Sequence, residues 1–294
     1  PKIKLKKPLE DFKNIFVLGI GLIGGSLARD LKRVLPGSTI YGVDSNDDHL
    51  DEAVGLGVID HSARFEAINQ ADLVILAIPV DQANLFLPPV LDAIAPNALV
   101  MDVGSTKGSV CDAVQNHPKR DQFLAAHPIA GTEFSGPSAA IENLYKNKTM
   151  ILCEVEKTRE DLLAKAMQIF EALPMQIRYM NPHSHDKHIA YVSHLSHISS
   201  FMLGKTVIEK EKNEKDIFDM AGSGFASTVR LAKSNPATWT PIFKENKANV
   251  LESLTEYINN LTHFKNVLEA ENYEEVFNEM HNTNHIKSIL KGLS

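Results

Sequence analysis

A chain of 294 residues with 44% hydrophobic and 23% charged side chains has the composition of an ordinary globular protein and the length for two domains. Its 30 basic and 37 acidic residues leave a net charge of −7, which argues against a phosphate backbone, and so a nucleic acid, as partner. No apolar run nears the ~20 residues that span a bilayer, and two cysteines, Cys111 and Cys153, fall short of a disulfide framework and suit a reducing compartment. The basic residues Lys2, Lys4, Lys6 and Lys7 read as a solvated tail. With no secretory signal in the polar opening segment, the expected location is the cytoplasm, with no membrane partner.

In chain order, strands are expected at Asn14–Leu18 and Thr39–Val43, with a helix over Leu22–Val34 between them. A helix over Asp47–Val54, a strand at Leu73–Ala77, a helix over Gln82–Ile94 and a strand at Leu99–Val103 follow. Next come a helix over Gly108–Asn116, strands at Phe123–Ala126 and Thr149–Cys153, a helix over Arg159–Leu173 and a closing strand at Met175–Tyr179. The strands are short, nearly continuous apolar runs, the pattern of strands buried on both faces of a parallel sheet. Their alternation with helices implies right-handed βαβ units. The character changes near Asn181-Pro182, after which strand signals vanish. Helices are expected over His183–Glu211, Lys215–Met220, Phe225–Lys233, Pro236–Glu269 and Tyr273–Leu290, with Asn235 as N-cap and Pro236 at the first helical position. The expected architecture is an α/β dinucleotide-binding domain of the Rossmann type over residues 1–180 and an all-α domain over residues 181–294.

The first strand runs into Gly19-Ile20-Gly21-Leu22-Ile23-Gly24, a G-x-G-x-x-G turn opening a helix. Gly19 suits the tight turn, Gly21 lets the backbone approach a pyrophosphate, and Gly24 lets helix and strand pack closely, with Leu22 and Ile23 completing the loop. Asp44 ends the second strand 20 residues after Gly24. A carboxylate there hydrogen-bonds a ribose 2′-hydroxyl and repels a 2′-phosphate, so NAD is expected rather than NADP. Ile78 and Pro79, and the segment Asp102-Val103-Gly104-Ser105-Thr106-Lys107, follow strand ends where ligands of open α/β sheets bind.

Oxidation of a hydroxyl needs a proton acceptor, and histidine is the usual choice because it titrates near neutrality. The chain has 12 histidines, so position must select among them. His127, at a strand end in His127-Pro128-Ile129-Ala130-Gly131-Thr132-Glu133, faces the expected crevice, and the hydroxyl of Ser105 on the neighbouring strand end is placed to orient its imidazole. A cluster of His183, His185, His188, His194 and His197 invites a metal reading, but no cysteine or suitable acid completes a ligand set. His194 by itself reads as helix packing.

The segments His127–Glu133, Asp102–Lys107, Ser193-His194-Leu195-Ser196-His197 and Arg230–Pro236 with Trp239 resemble the signature segments of the prephenate dehydrogenase family, over about residues 12 to 285. The resemblance implies an NAD-dependent oxidative decarboxylation of prephenate to 4-hydroxyphenylpyruvate in tyrosine biosynthesis. It implies His127 as the catalytic histidine, Ser105 as its assistant near the nicotinamide, and Arg230 as the grip on a substrate carboxylate. His197, Thr132, Glu133 and Trp239 become substrate contacts, and His185 with Asp186 a gating and positioning pair. The form resembled is the minimal one, without a regulatory ACT domain or a fused chorismate mutase. One departure is Ala226-Ser227, where some relatives carry charged residues.

Three other readings stay open: arogenate as substrate, a general 3-hydroxyacid dehydrogenase, and a non-catalytic NAD(H)-sensing regulator. The last two leave the segment His127–Glu133, or the joint presence of base, serine and arginine, without a purpose. Apolar residues at helical spacing in the last helices (Val250, Leu251, Leu254, Tyr257, Ile258 and Leu261) point to a homodimer built through them, as does the resemblance.

Overall fold

The computed structural model describes residues 12–214 and 216–290. The N-terminal lysine run and Lys215, where a helix was expected to start, lie outside them. Eight strands make one sheet: β1 Asn14–Leu18, β2 Thr39–Val43, β3 His61–Ser62, β4 Leu73–Leu76, β5 Leu99–Asp102, β6 Phe123–Pro128, β7 Thr149–Cys153 and β8 Gln176–Met180. Their order is β3-β2-β1-β4-β5-β6-β7-β8. Every neighbouring pair is parallel except β6 and β7, where His127 stands opposite Ile151.

The continuous apolar runs have a direct cause. Ile15 and Val17 of β1, with Leu73 and Ile75 of β4, enter the core on one face; Phe16, Leu18, Val74 and Leu76 enter the core on the other. Side chains alternate across a strand, so a strand covered on both sides is apolar at every position. Helix α1 (Leu22–Val34) covers the first face through Leu27 and Leu31, together with the later α5 (Glu160–Ala172). α3 (Val80–Ala93) and α4 (Gly108–Ala113) cover the second; α2 (Asp47–Gly55) follows β2. Cys111 and Cys153 are both buried free thiols in that second core. The order reverses between β1 and β4, which opens a crevice at their carboxyl ends.

After β8 the chain is helical: α6 Pro182–Ile189, α7 Leu195–Glu211, α8 Ser223–Thr228, α9 Pro236–Glu245, α10 Lys247–Glu269, α11 Tyr273–Thr283 and α12 Ile286–Ile289. Asn235 caps α9 as expected, its side chain accepting from the Ala237 amide at 2.9 Å. Several helices expected to be continuous are not: the stretch expected over Tyr273–Leu290 divides into α11 and α12, that over Lys215–Met220 shows, among the described residues, only a 3-10 turn at Phe218–Met220, and three more break as follows. Residues Ala190–His194 form a π-helical turn between α6 and α7, which rotates the following residues relative to the helix before it. At Asn246 the stretch expected over Pro236–Glu269 breaks, because that side chain turns inward to hydrogen-bond the Asp186 carbonyl and the His194 ring. Arg230 starts a short 3-10 turn over Arg230–Lys233 instead of lying within a longer helix. β3 had no sequence signal, being two exposed residues paired with Tyr41 and Gly42.

The chain divides into two compact units, the first closing at Lys247 and the second opening at Ala248, so α6–α9 belong with the sheet. In the second unit the helices expose Leu251, Ile258, Leu261, Phe277 and Met280, each more than half accessible. No helix among the described residues is long and apolar enough to cross a membrane.

Candidate active site

The glycine turn is built by exclusion. Gly19 has φ +88°, and a Cβ there would sit 2.4 Å from the Ala77 carbonyl oxygen. A Cβ on Gly24 would lie 2.0 Å from the Gly19 oxygen, so α1 can reach β1 only with hydrogen at that position. Gly21 is different: a Cβ there meets nothing within 4 Å. Its smallness is not needed by the fold, and it opens onto the cleft at the N-terminus of α1, where free amides favour an anion. Asp44 anchors the same turn. Its carboxylate accepts from the Ile20 amide at 3.1 Å and the Asn46 amide at 3.0 Å.

A cleft of about 320 Å³ starts at this turn. Gly21, Leu22, Ile23, Ile78 and Pro79 form part of its wall. Ser105, His127, Thr132, Glu133 and Trp239 line it as well. Gly19, Gly24 and Asp44 stand behind the wall as its supports, and His185, Asp186, His197 and Arg230 also lie outside the lining. Phe134, Thr238 and Ile242 line it too; sequence reasoning missed them, since nothing but the folded path brings them there.

His127 is buried, and its partner is another histidine. His127 Nδ1 lies 2.8 Å from His185 Nε2, and His185 Nδ1 lies 2.8 Å from Asp186 Oδ1. Asp186 also accepts the Lys107 amide at 2.7 Å and the Gly108 amide at 2.8 Å, so it closes the N-terminus of α4. Burial pushes the Asp186 carboxyl up, but the bonds from His185 and the two amides outweigh it and hold the group below the ordinary carboxylate range. An ionised Asp186 accepts only, so His185 Nδ1 carries a proton. Burial pushes the His185 ring down, more than Asp186 lifts it, so the ring is neutral and its Nε2 accepts. His127 Nδ1 must then donate, which leaves Nε2 of His127 with a free lone pair. Burial, and then the neighbouring His185, Lys107 and His194, hold His127 well below the ordinary histidine value. His127 is therefore a neutral imidazole in a fixed tautomer, the state of a proton acceptor.

The sequence pointed to Ser105 as the group that orients this ring. Ser105 shares the cleft wall, but among the described residues the ring is oriented by the hydrogen bond that His127 Nδ1 donates to His185 Nε2. Likewise His185 and Asp186 stand behind His127, not against the cleft.

Beside the cleft stands an ion pair with one lining member. Arg230, 53% exposed, reaches the lining residue Glu133 with Nη1 3.3 Å from Oε2. Trp239 stacks on His197 with ring centroids 3.4 Å apart, and His197 Nδ1 donates to the Ser193 carbonyl at 3.0 Å. Burial lowers the His197 value, and the Arg230 charge adds to that against the Ser193 bond. His194 meets the Trp239 and Phe243 rings edge-on, and burial pushes it down to about 4. No set of three or more His, Cys, Asp or Glu side chains among the described residues is arranged to hold a metal ion.

A doubly wound sheet, a glycine turn at its switch point and a neutral imidazole in the same cleft define a nucleotide-dependent dehydrogenase. The family model for the prephenate dehydrogenase nucleotide-binding domain matches residues 27–179, and that for the prephenate dehydrogenase dimerization domain matches residues 181–282. The chain belongs to the prephenate dehydrogenase family. It is 34% identical to a prephenate dehydrogenase of Bacillus subtilis, over 90% of this chain and 72% of that one. A crystal structure of prephenate dehydrogenase from A. aeolicus, in complex with hydroxyphenyl propionate and NAD+, aligns with a TM-score of 0.86 at 33% identity, covering 95% of this chain and 98% of that one. An arogenate dehydrogenase from Synechocystis aligns with a TM-score of 0.73 at 29% identity, covering 94% and 99%.

Proposed function

We propose that this protein is an NAD-dependent prephenate dehydrogenase, which oxidises and decarboxylates prephenate to 4-hydroxyphenylpyruvate on the route to tyrosine. The observation that carries the reading is the neutral His127 imidazole, its Nε2 free, in a cleft lined by the glycine turn and by Glu133, the ion-pair partner of Arg230. The residues present fit the coenzyme. The open space beside Gly21 leaves room for a pyrophosphate at the N-terminus of α1, and Asp44 presents a carboxylate at the end of β2 suited to a ribose 2′-hydroxyl. Bound NAD supplies the hydride acceptor.

His127 Nε2 takes the proton of the ring 4-hydroxyl as the carbon beneath it is oxidised. The charge that this places on the imidazole is spread through His185 to Asp186. Once the ring bears a ketone, loss of its carboxylate as carbon dioxide yields a phenol, and aromatisation makes that step downhill without a metal or a covalent intermediate. Ser105 lines the same cleft as His127, and its hydroxyl is assigned to the same substrate oxygen. Arg230 holds a substrate carboxylate, for which its planar fork is suited, while His197, Trp239, Thr132 and Glu133 shape that end.

Replacing Arg230 by Ala is expected to raise the KM for prephenate roughly 10- to 100-fold, since a charge-assisted contact contributes about 1.5–3 kcal/mol. The KM for NAD should stay within about twofold, because the glycine turn is untouched. Equal rises in both would remove Arg230 from the substrate. The reading as a whole is tested by following NADH formation from prephenate and from arogenate, with the product identified and NADP tried in place of NAD. Prephenate, NAD and 4-hydroxyphenylpyruvate are the expected set. The second reading, arogenate as substrate, is favoured by the likeness to the Synechocystis structure, and tyrosine as product would establish it.

We also propose a division of labour at residue 180, where the two family models meet, and a homodimer formed through the C-terminal helices. Supporting the dimer, α11 and α12 bury no side chain and α10 buries only Val250, Ser253 and Val267. Helices of that length are marginal until an apolar face is covered. Buried free thiols at Cys111 and Cys153 suit the reducing cytoplasm.

A further inference from the structure

Behind the cleft lies a second charged pair that the reaction as described does not use. Lys107 and Asp102 are almost wholly inaccessible, and the Lys107 ammonium is hydrogen-bonded to Asp102 Oδ2. Asp102 Oδ1 accepts the Gly104 amide at 2.9 Å, and the Lys107 amide is held by Asp186 at 2.7 Å. The short segment between Gly104 and Lys107 is thus clasped at both ends by carboxylates, and Ser105 is its cleft-lining residue. Among the described residues Lys107 alone is hydrogen-bonded to both carboxylates, Asp102 by its side chain and Asp186 by its backbone.

A buried ion pair is a poor device for stability, because desolvating two charges offsets most of their attraction. Here the pair has a geometric result: it fixes the segment that carries Ser105 against the residue that fixes His185. We propose that Lys107 is a positioning residue for the reaction, setting Ser105 in the cleft wall and placing the cationic half of its ion pair beside the His127–His185–Asp186 chain. The groups that act electrostatically on His127 are His185 from α6, Lys107 from the segment after β5 and His194 from the π-helical turn, with Asp186 one residue further along the chain of bonds. Lys107, ion-paired with Asp102, opposes protonation of His127, as burial and His185 do more strongly. The inference rests on His127 as the base.

The test is Lys107→Met in the full chain, with His127→Asn to assign the His127 resonance. With the cation gone, the His127 titration seen by NMR of labelled histidine should move up by about half a unit to one unit. The acid limb of kcat/KM should move up with it, and kcat should fall about 10- to 100-fold from misplacement of Ser105, with the KM for NAD unchanged. Lys107→Met leaves Asp102 buried and unpaired, so Asp102→Asn/Lys107→Met is read in the same way; its amide oxygen still accepts from Gly104. A folded variant whose titration, acid limb and kcat all stay in place would overturn the proposal and leave the pair structural. A titration that moves while the acid limb does not would overturn it differently, by showing that His127 is not the base.

Discussion

His127→Asn is expected to lower kcat by about 10²–10⁴, the usual contribution of a positioned proton acceptor. The asparagine side chain is smaller, but its NH2 group stands about where Nδ1 stood and still donates to His185 Nε2, so the chain of bonds behind the cleft stays in place. What is lost is a nitrogen lone pair able to take a full proton. In the proposed reading NAD is held by the turn at Gly19, Gly21 and Gly24 and by Asp44, whose hydrogen bonds do not involve His127, so its affinity should stay within about twofold. Steady-state kinetics with coenzyme titration by fluorescence separates the two quantities. Turnover near that of the parent would remove His127 from its role.

Asp186→Asn should be nearly as damaging, although Asp186 never meets the cleft. The carboxylate accepts three hydrogen bonds, from His185 and from the amides of Lys107 and Gly108. An asparagine has one accepting oxygen, so its NH2 must face a donor at one of these positions. If it turns that group toward His185, the imidazole tautomer reverses, His185 Nε2 becomes a donor, and His127 is forced to present a protonated Nε2 to the substrate. A fall in kcat on the order of 10²–10⁴ is expected from losing the productive tautomer. Stability should also drop, by about 1.5–3 kcal/mol for hydrogen bonds to a charged group. The pH dependence has a definite sign. Asp186 is held below its usual range in the folded protein, so its contribution is complete at neutral pH and is lost as pH falls through the folded value. Denaturation curves of parent and variant should therefore lie well apart at neutral pH and converge in acid. A constant gap would mean that the ionised carboxylate contributes nothing special.

The sheet was legible because its strands are apolar at every position, and the glycine turn because its spacing between a strand and a helix answers a steric need. The place of His127 in the crevice was legible from the strand end, and it does line the cleft. Other features depend on contacts that no local pattern encodes. The π-helical turn at Ala190–His194 lies within an unbroken helical pattern, and its only trace is the burial of His194 that follows from it. The break at Asn246 comes from a side chain recruited by Asp186 and His194, which are 60 and 52 residues away. For the same reason Ser105 suggested itself as the orienting group. It is close to His127 on a neighbouring strand end, whereas His185 approaches from a helix 58 residues later. The resemblance marked His185 and Asp186 only as a gating and positioning pair, because a motif reports which residues matter without reporting what they touch.

The central claim is geometric: the free nitrogen of His127 and the guanidinium of Arg230 act on one ring acid. A crystal structure of the protein with NAD and an unreactive analogue bearing the ring hydroxyl and the side-chain carboxylate measures this directly. The expected result places the ring oxygen within hydrogen-bond distance of His127 Nε2 and the carboxylate on Arg230, with the ring carbon facing the nicotinamide. An analogue bound with its ring oxygen remote from His127, or its carboxylate held elsewhere while Arg230 stays on Glu133, would contradict the account.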